Sequence, residues 1–264
     1  MANHYPKFFD FFKNYQNNYV LIGGQAASIL LEAAGQITRA TVDFDIIVIF
    51  EKADQDFLNH LKVFLREYHY LLDGRKSEER KYYYRFRTVK NSEVPEVIEL
   101  FSRVSANIIL EDPNTIEIPL PDEDDSLSAI SLDDGYYGIL KNGIEISQYV
   151  DGPVLKPAYL ILFKAKAQLD IVKRQEEGER VNHRDKMKHK KDILNLLNIL
   201  TDDDTIPADS VSEQVKRDLA DYIDWLENQP DLGHEIIQRK LERFRGNPNK
   251  AKEKVITALR QLIV

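Results

Sequence analysis

The chain has 264 residues, 43% of them hydrophobic, and sets 36 basic side chains against 44 acidic ones, a net charge of −8. That length and apolar content suit one large domain or two modest ones, and the negative balance argues against a protein that coats nucleic acid without sequence preference. Zero cysteines exclude disulfides, thiolate metal sites and a thiol nucleophile, while an N-terminus unlike a signal peptide and no apolar run near the roughly 20 residues of a membrane helix point to the cytoplasm with no membrane partner.

Aromatic residues at 8, 9, 11, 12 and 15 recur at helical spacing and predict a helix packed against a sheet. Tyr19-Val20-Leu21-Ile22 reads as a buried strand. Gly23 and Gly24 follow, allowing a tight turn and close backbone approach by a ligand. A small-residue helix then spans 25–34. Free amides at such a helix start can bind phosphate, although the same residues suit a plain strand-to-helix turn. A second apolar strand covers 42–50. Strand side chains alternate, so Asp43 and Asp45 share a face and Phe44 points into the core. Two carboxylates on one face of an apolar strand are costly unless a cation or solvent meets them. Their hard oxygens suit one or two magnesium ions.

Residues 53–68 read as an amphipathic helix, and Asp73-Gly74 as a turn. KYYYRFRTV, residues 81–89, interleaves aromatic and basic residues. It reads as a strand whose basic face is solvated, or one that meets bases or phosphates. PEVIELF, residues 95–101, is a further strand with Val97, Glu99 and Phe101 on one face. A carboxylate at 99 between Ile98 and Leu100 needs either an edge-strand surface or a role. Glu96 sits at the strand entrance. Within 105–152, residues 115–120 suggest a strand, 122–125 an acidic loop, Asp133-Asp134-Gly135 a turn and Lys141-Asn142-Gly143-Ile144 a hairpin. The segment fits a β insertion or the frame of a substrate cleft.

Gly152-Pro153 and Pro157 mark a boundary that divides the chain into 1–155 and 156–264. Beyond it the pattern is helical over 158–173, 184–200, 210–228, 232–245 and 250–263. Arg180, Arg184, Lys186, Lys188 and Lys190 make the second of these helices basic at its start, a solvated charge run or a surface for triphosphate or RNA.

Gly23-Gly24-Gln25-Ala26 and Arg39-Ala40-Thr41-Val42-Asp43-Phe44-Asp45 resemble the nucleotidyltransferase superfamily. They are most similar to the AbiEii-type abortive-infection toxin nucleotidyltransferases. In LILFKAKAQLD, Lys164 matches a lysine that the family carries on an apolar helix. Lys191-Asp192-Ile193-Leu194-Asn195 resembles a further family block, with Asn195 replacing its second aspartate. The resemblance implies an α/β fold of the α+β kind: a nucleotidyltransferase-like mixed sheet with helices, then a helical C-terminal domain across a cleft. It implies magnesium at Asp43, Asp45 and Glu99, with Glu99 as the third carboxylate and base. It implies an NTP held by Gly23, Gly24, Arg39, Thr41, Lys191 and Asp192, with Lys164 catalytic. The acceptor would be a tRNA or a protein, and a separately encoded antitoxin the partner. Two other readings fit the same residues: a small-molecule, antibiotic-type adenylyltransferase and a catalytically silent nucleotide-binding or interaction module.

Overall fold

The computed structural model describes residues 4–38, 41, 43–49, 55–72, 84–88, 93–101, 134–181 and 183–264. Arg39, the turn at Asp73-Gly74, the strand expected over 115–120 and the acidic loop at 122–125 lie outside them.

The chain folds as an α/β protein in two units. The first, Met1–Tyr137 with Ile144–Leu155, is built on a mixed sheet. Its strands are β1 (Tyr19–Ile22), β2 (Asp43–Val48), β3 (Leu71–Leu72), β4 (Tyr84–Arg87), β5 (Val97–Phe101), β6 (Ile144–Ser147) and β7 (Gly152–Leu155). Their order is β3-β4-β5-β2-β1-β7-β6. β2 runs antiparallel to β1 and parallel to β5, so the carboxylate strand lies in the interior of the sheet.

Helices α1 (Pro6–Phe11), α2 (Gly23–Ala33) and α3 (Gln55–Glu67) belong to this unit. Alternation along β2 decides what α1 meets. Phe44 is fully buried, and its ring lies 5.1 Å from Phe8 of α1. Phe8 also meets Phe64 of α3 at 5.4 Å. Tyr19 of β1 stacks on Phe57 of α3 at 6.5 Å. Each such ring removed from water contributes roughly 1.5–3 kcal/mol. Phe44 therefore anchors one face of β2 in aromatic packing and commits Asp43 and Asp45 to the other.

Helix α4 (Asp134–Gly143) occupies the stretch expected to hold a turn and a hairpin. Asp134 stands in its first turn, where a carboxylate favours the helix dipole as readily as it favours a turn. Gly143 ends this helix rather than turning a hairpin, and β6 starts at the next residue. A Cβ at Gly143 would lie 2.5 Å from Cγ of Tyr159. Gly138–Gly143 belongs with the helical unit, in keeping with that close packing.

The helical unit, Gly138–Gly143 with Lys156–Val264, contains α5 (Pro157–Glu176), α6 (His183–Ile199), α7 (Glu213–Glu227), α8 (Leu232–Gln238) and α9 (Pro248–Arg260). Helix α5 starts on Pro157, whose missing N–H costs nothing there. It is buried almost all round and packs on α6 and α7. Ser212 caps α7 and Asn247 caps α9 through side-chain oxygens. One helix was expected over 232–245; instead α8 ends at Gln238 and a 3-10 turn follows at Glu242–Phe244. The interruption falls at Lys240, whose φ of 54° no right-handed helix accommodates. Among the described residues no helix is long and apolar enough to cross a membrane.

Candidate functional site

The sheet positions one cluster. Ile22, the last residue of β1, pairs with Asp45, and Asp45 pairs with Glu99 across the parallel β2–β5 ladder. Parallel strands are about 4.8 Å apart, and residues in register share a face. Asp45 and Glu99 are thus neighbours on the face that Asp43 also occupies. Asp45 is 7% exposed, while Asp43 and Glu99 are half-buried. Glu96 is exposed instead and bonds Arg87 at 3.0 Å.

Gly23 opens α2 directly against this face. Its φ is +69°, in the left-handed region. A Cβ at Gly23 would lie 1.6 Å from Oδ2 of Asp45, so a side chain there is sterically excluded. Backbone strain and close approach both require glycine here. The Asp45 carboxylate consequently lies at the positive end of the α2 dipole. Ile22 precedes the helix as its N-cap and supplies no side-chain acceptor. Gly24 is buried in the first turn. The hydroxyl oxygen of Thr41, two residues before Asp43, is out of solvent and without a hydrogen-bond partner among the described residues. Tyr5 lies in the same field: burial, then Glu96 and Asp43, raise its phenol pKa.

The donor set of Asp43, Asp45 and Glu99 is chemically suited to magnesium, being three hard carboxylates. Among the described residues, no three His, Asp or Glu side chains are drawn together as a ready metal cage.

The helical unit positions a second cluster. Lys164 is 2% exposed, and its Nζ donates to Oδ2 of Asp192 at 2.7 Å. The two residues that the sequence singled out on α5 and α6 thus meet in a buried ion pair. An ammonium this deep needs its partner, because desolvation alone costs several kcal/mol per ion. Lys191 is exposed. Its neighbour Lys190 is the buried one, at 2.6 Å from Glu235. The basic run is therefore not uniformly solvated. Gln168 joins α5 to α6 beside it, donating to the Lys186 carbonyl at 2.9 Å and accepting from the Lys190 amide at 3.2 Å.

Glu32 was not singled out by sequence reasoning. Its carboxylate accepts from His4 Nε2 at 3.0 Å, Thr38 Oγ1 at 2.6 Å and Tyr149 Oη at 3.3 Å. The only signal in the sequence was a carboxylate at the end of an otherwise small and apolar helix. Comparison of the chain with protein-family models, curated proteins and solved structures finds no match.

Proposed function

We propose that this chain is a magnesium-dependent nucleotidyltransferase, moving a nucleoside monophosphate from an NTP to an RNA or protein acceptor. The observation that carries the reading is Gly23 pressed against Asp45, with Glu99 in register beside it. A glycine-led helix start lies against two in-register carboxylates there, the neighbours that a phosphate and its magnesium would need.

Asp43, Asp45 and Glu99 would hold the magnesium, which neutralises phosphate charge and polarises the α-phosphorus when bound. Backbone amides of Gly23 and Gly24 cradle the phosphates. The acceptor hydroxyl attacks the α-phosphorus and Glu99 takes its proton. The bond to the bridging oxygen breaks and pyrophosphate leaves. Arg39 and Thr41 approach the same strand in sequence. The resemblance also implies Lys164, Lys191 and Asp192 at the triphosphate; within the helical unit Lys164 and Asp192 form a buried ion pair. A separately encoded antitoxin is the partner this reading implies.

The test is transfer of label from each of the four α-labelled NTPs, with magnesium, to total tRNA, to protein extract and to aminoglycosides. Label on RNA or protein that disappears in Asp45→Asn supports the proposal. Label on the small molecule moves the chain to the antibiotic-type class. No transfer, and no magnesium-dependent NTP binding, overturns it.

A further inference from the structure

Glu32 lies in the last turn of α2. Its side chain is only 8% exposed, yet it makes contacts well beyond its own helix. One arm runs back along α2. Gln25 Nε2 donates to His4 Nδ1 at 2.9 Å, and His4 Nε2 donates to Glu32 at 3.0 Å. This ties Gln25, two residues after Gly23, to Glu32 through a single imidazole. A second arm runs forward. Ser28 donates to Thr38 at 2.6 Å, and Thr38 donates to Glu32 at 2.6 Å. Thr38 stands on the connection that leads to Thr41 and Asp43. A third contact, from Tyr149, reaches Glu32 from the turn between β6 and β7, and the Tyr149 ring edges against His4 at 5.5 Å.

Gln25, Ser28 and Glu32 fall three and four residues apart, so they form one stripe along α2. That spacing makes the helix itself the ruler between the two arms. One arm ends beside the glycine turn and the other on the approach to the carboxylate strand. Between them the backbone leaves α2 with Ile37 fully exposed, so apolar packing does not fix this connection. A charge-assisted hydrogen bond to the buried Glu32 carboxylate holds it at Thr38.

We propose that Glu32 is a positioning residue: it fixes the spacing between Gly23 at the start of α2 and Thr38 on the way into β2. The inference rests on the nucleotidyltransferase reading for its catalytic consequence, because phosphates bind the first element and magnesium the second. Its structural content stands without that reading. Glu32→Gln keeps the shape of the side chain and removes its charge. Thr38→Val removes the forward arm alone, and Thr38→Ser keeps it.

The first measurement is amide hydrogen exchange. In Glu32→Gln, exchange should speed about tenfold in residues 23–26 and in 36–38 with 43–45 together, with the helical unit unchanged. Thr38→Val should speed the second segment, and Thr38→Ser should restore it. Acceleration of neither segment, or of one only in Glu32→Gln, overturns the proposal. The second measurement is binding of fluorescent ATP and GTP analogues with magnesium. Glu32→Gln should bind about tenfold more weakly than wild type. A control, His60→Gln, removes the bond to the Phe11 carbonyl elsewhere in the unit and should bind normally at a comparable melting temperature. Equal weakening in that control reduces Glu32 to a general stability role and overturns its positioning role. A wild type that binds neither nucleotide overturns the functional reading, and with it the catalytic consequence. The exchange result then decides the structural coupling alone.

Discussion

The two units treat charge in opposite ways. On the sheet, Asp43, Asp45 and Glu99 put three like charges on one face of adjacent strands. In the helical unit each buried charge meets its opposite: Lys164 with Asp192, Lys190 with Glu235, Lys166 with Asp170 and Asp218. Helices crossing at a packed interface gain by neutralising charges they have desolvated. A strand face that gathers carboxylates offers several hard oxygens side by side. The helical arrangement neutralises the charge it buries, and the strand face groups the carboxylates that the proposed magnesium would need. For Lys164 the resemblance implies a catalytic lysine, while the structure shows half of a buried pair.

The largest expected effect breaks that pair. Lys164→Ala should destabilise the helical unit by about 3–5 kcal/mol, because Asp192 is left charged and buried. Lys164→Met with Asp192→Leu should recover most of the loss, since apolar replacements of both partners are often neutral. Urea midpoints of the two variants decide this. If Lys164→Ala costs under about 1 kcal/mol, the pair does not stabilise the unit as its geometry suggests.

On the sheet the corresponding change is Gly23→Ala. The left-handed backbone alone costs an alanine about 1–2 kcal/mol. The added Cβ also evicts the Asp45 carboxylate from its position. Magnesium-dependent nucleotide binding should be lost, with a drop of a few degrees in melting temperature. Normal binding by Gly23→Ala would detach the glycine turn from the carboxylates.

These two variants mark what was legible in the sequence. Gly23, Gly24, Asp43, Asp45 and Glu99 could be picked out because each violates a local expectation: glycine pairs before a helix, carboxylates in apolar strands. The pairing of Asp45 with Glu99 extends that reading, since period-two alternation and a parallel neighbour suffice to align them. The burial of Lys164 was not legible. It depends on Asp192, 28 residues away on another helix. Lys190 and Lys191 are adjacent in sequence and differ only in which side of α6 meets Glu235. Glu32 was hidden for the same reason, its partners being at 4, 38 and 149. Asp134 misled because an aspartate before glycine starts helices as well as turns.

Each unit also holds a buried phenol whose hydroxyl has no partner among the described residues, which gives a smaller test. The hydroxyls of Tyr19 in β1 and Tyr222 in α7 are out of solvent and without a hydrogen-bond partner among the described residues. Burial raises both pKa values far above the usual range, Asp151 adding to the effect on Tyr19 and Glu235 to that on Tyr222. A desolvated, unsatisfied hydroxyl costs about 1–3 kcal/mol. Tyr19→Phe and Tyr222→Phe should each raise stability by about 1 kcal/mol, read from urea midpoints. A loss in either variant would show that its hydroxyl is satisfied in solution.

The smallest expected effect concerns two acids within the helical unit that depart from their ordinary pKa in opposite directions. Burial raises Asp170 above its usual 3.8; Asp218 adds to the rise, while Lys166 and Arg174 oppose it. For Glu235 burial acts upward too, but hydrogen bonds and charge from Lys190 and Arg239 outweigh it and leave the group below its usual 4.5. A raised folded pKa means that the native state binds the proton more tightly than the unfolded chain. The contribution of Asp170 is therefore fully present below 3.8 and lost as pH rises through its folded value. The contribution of Glu235 is present above 4.5 and lost as pH falls through its depressed folded value. Asp170→Asn removes a carboxylate that is unfavourable when ionised. At pH 7 it should gain about 0.5 kcal/mol over wild type, and the gain should vanish in acid. Glu235→Gln should show the reverse trend: its deficit is largest at neutral pH and shrinks as the medium is acidified. Stability curves from pH 3 to 8 for wild type and both variants provide the measurement. Parallel curves for Asp170→Asn and wild type would mean that Lys166 fully compensates Asp170, as Lys190 and Arg239 more than compensate Glu235. The contrast would then reduce to the sheet against the helices, with no uncompensated acid left in the helical unit.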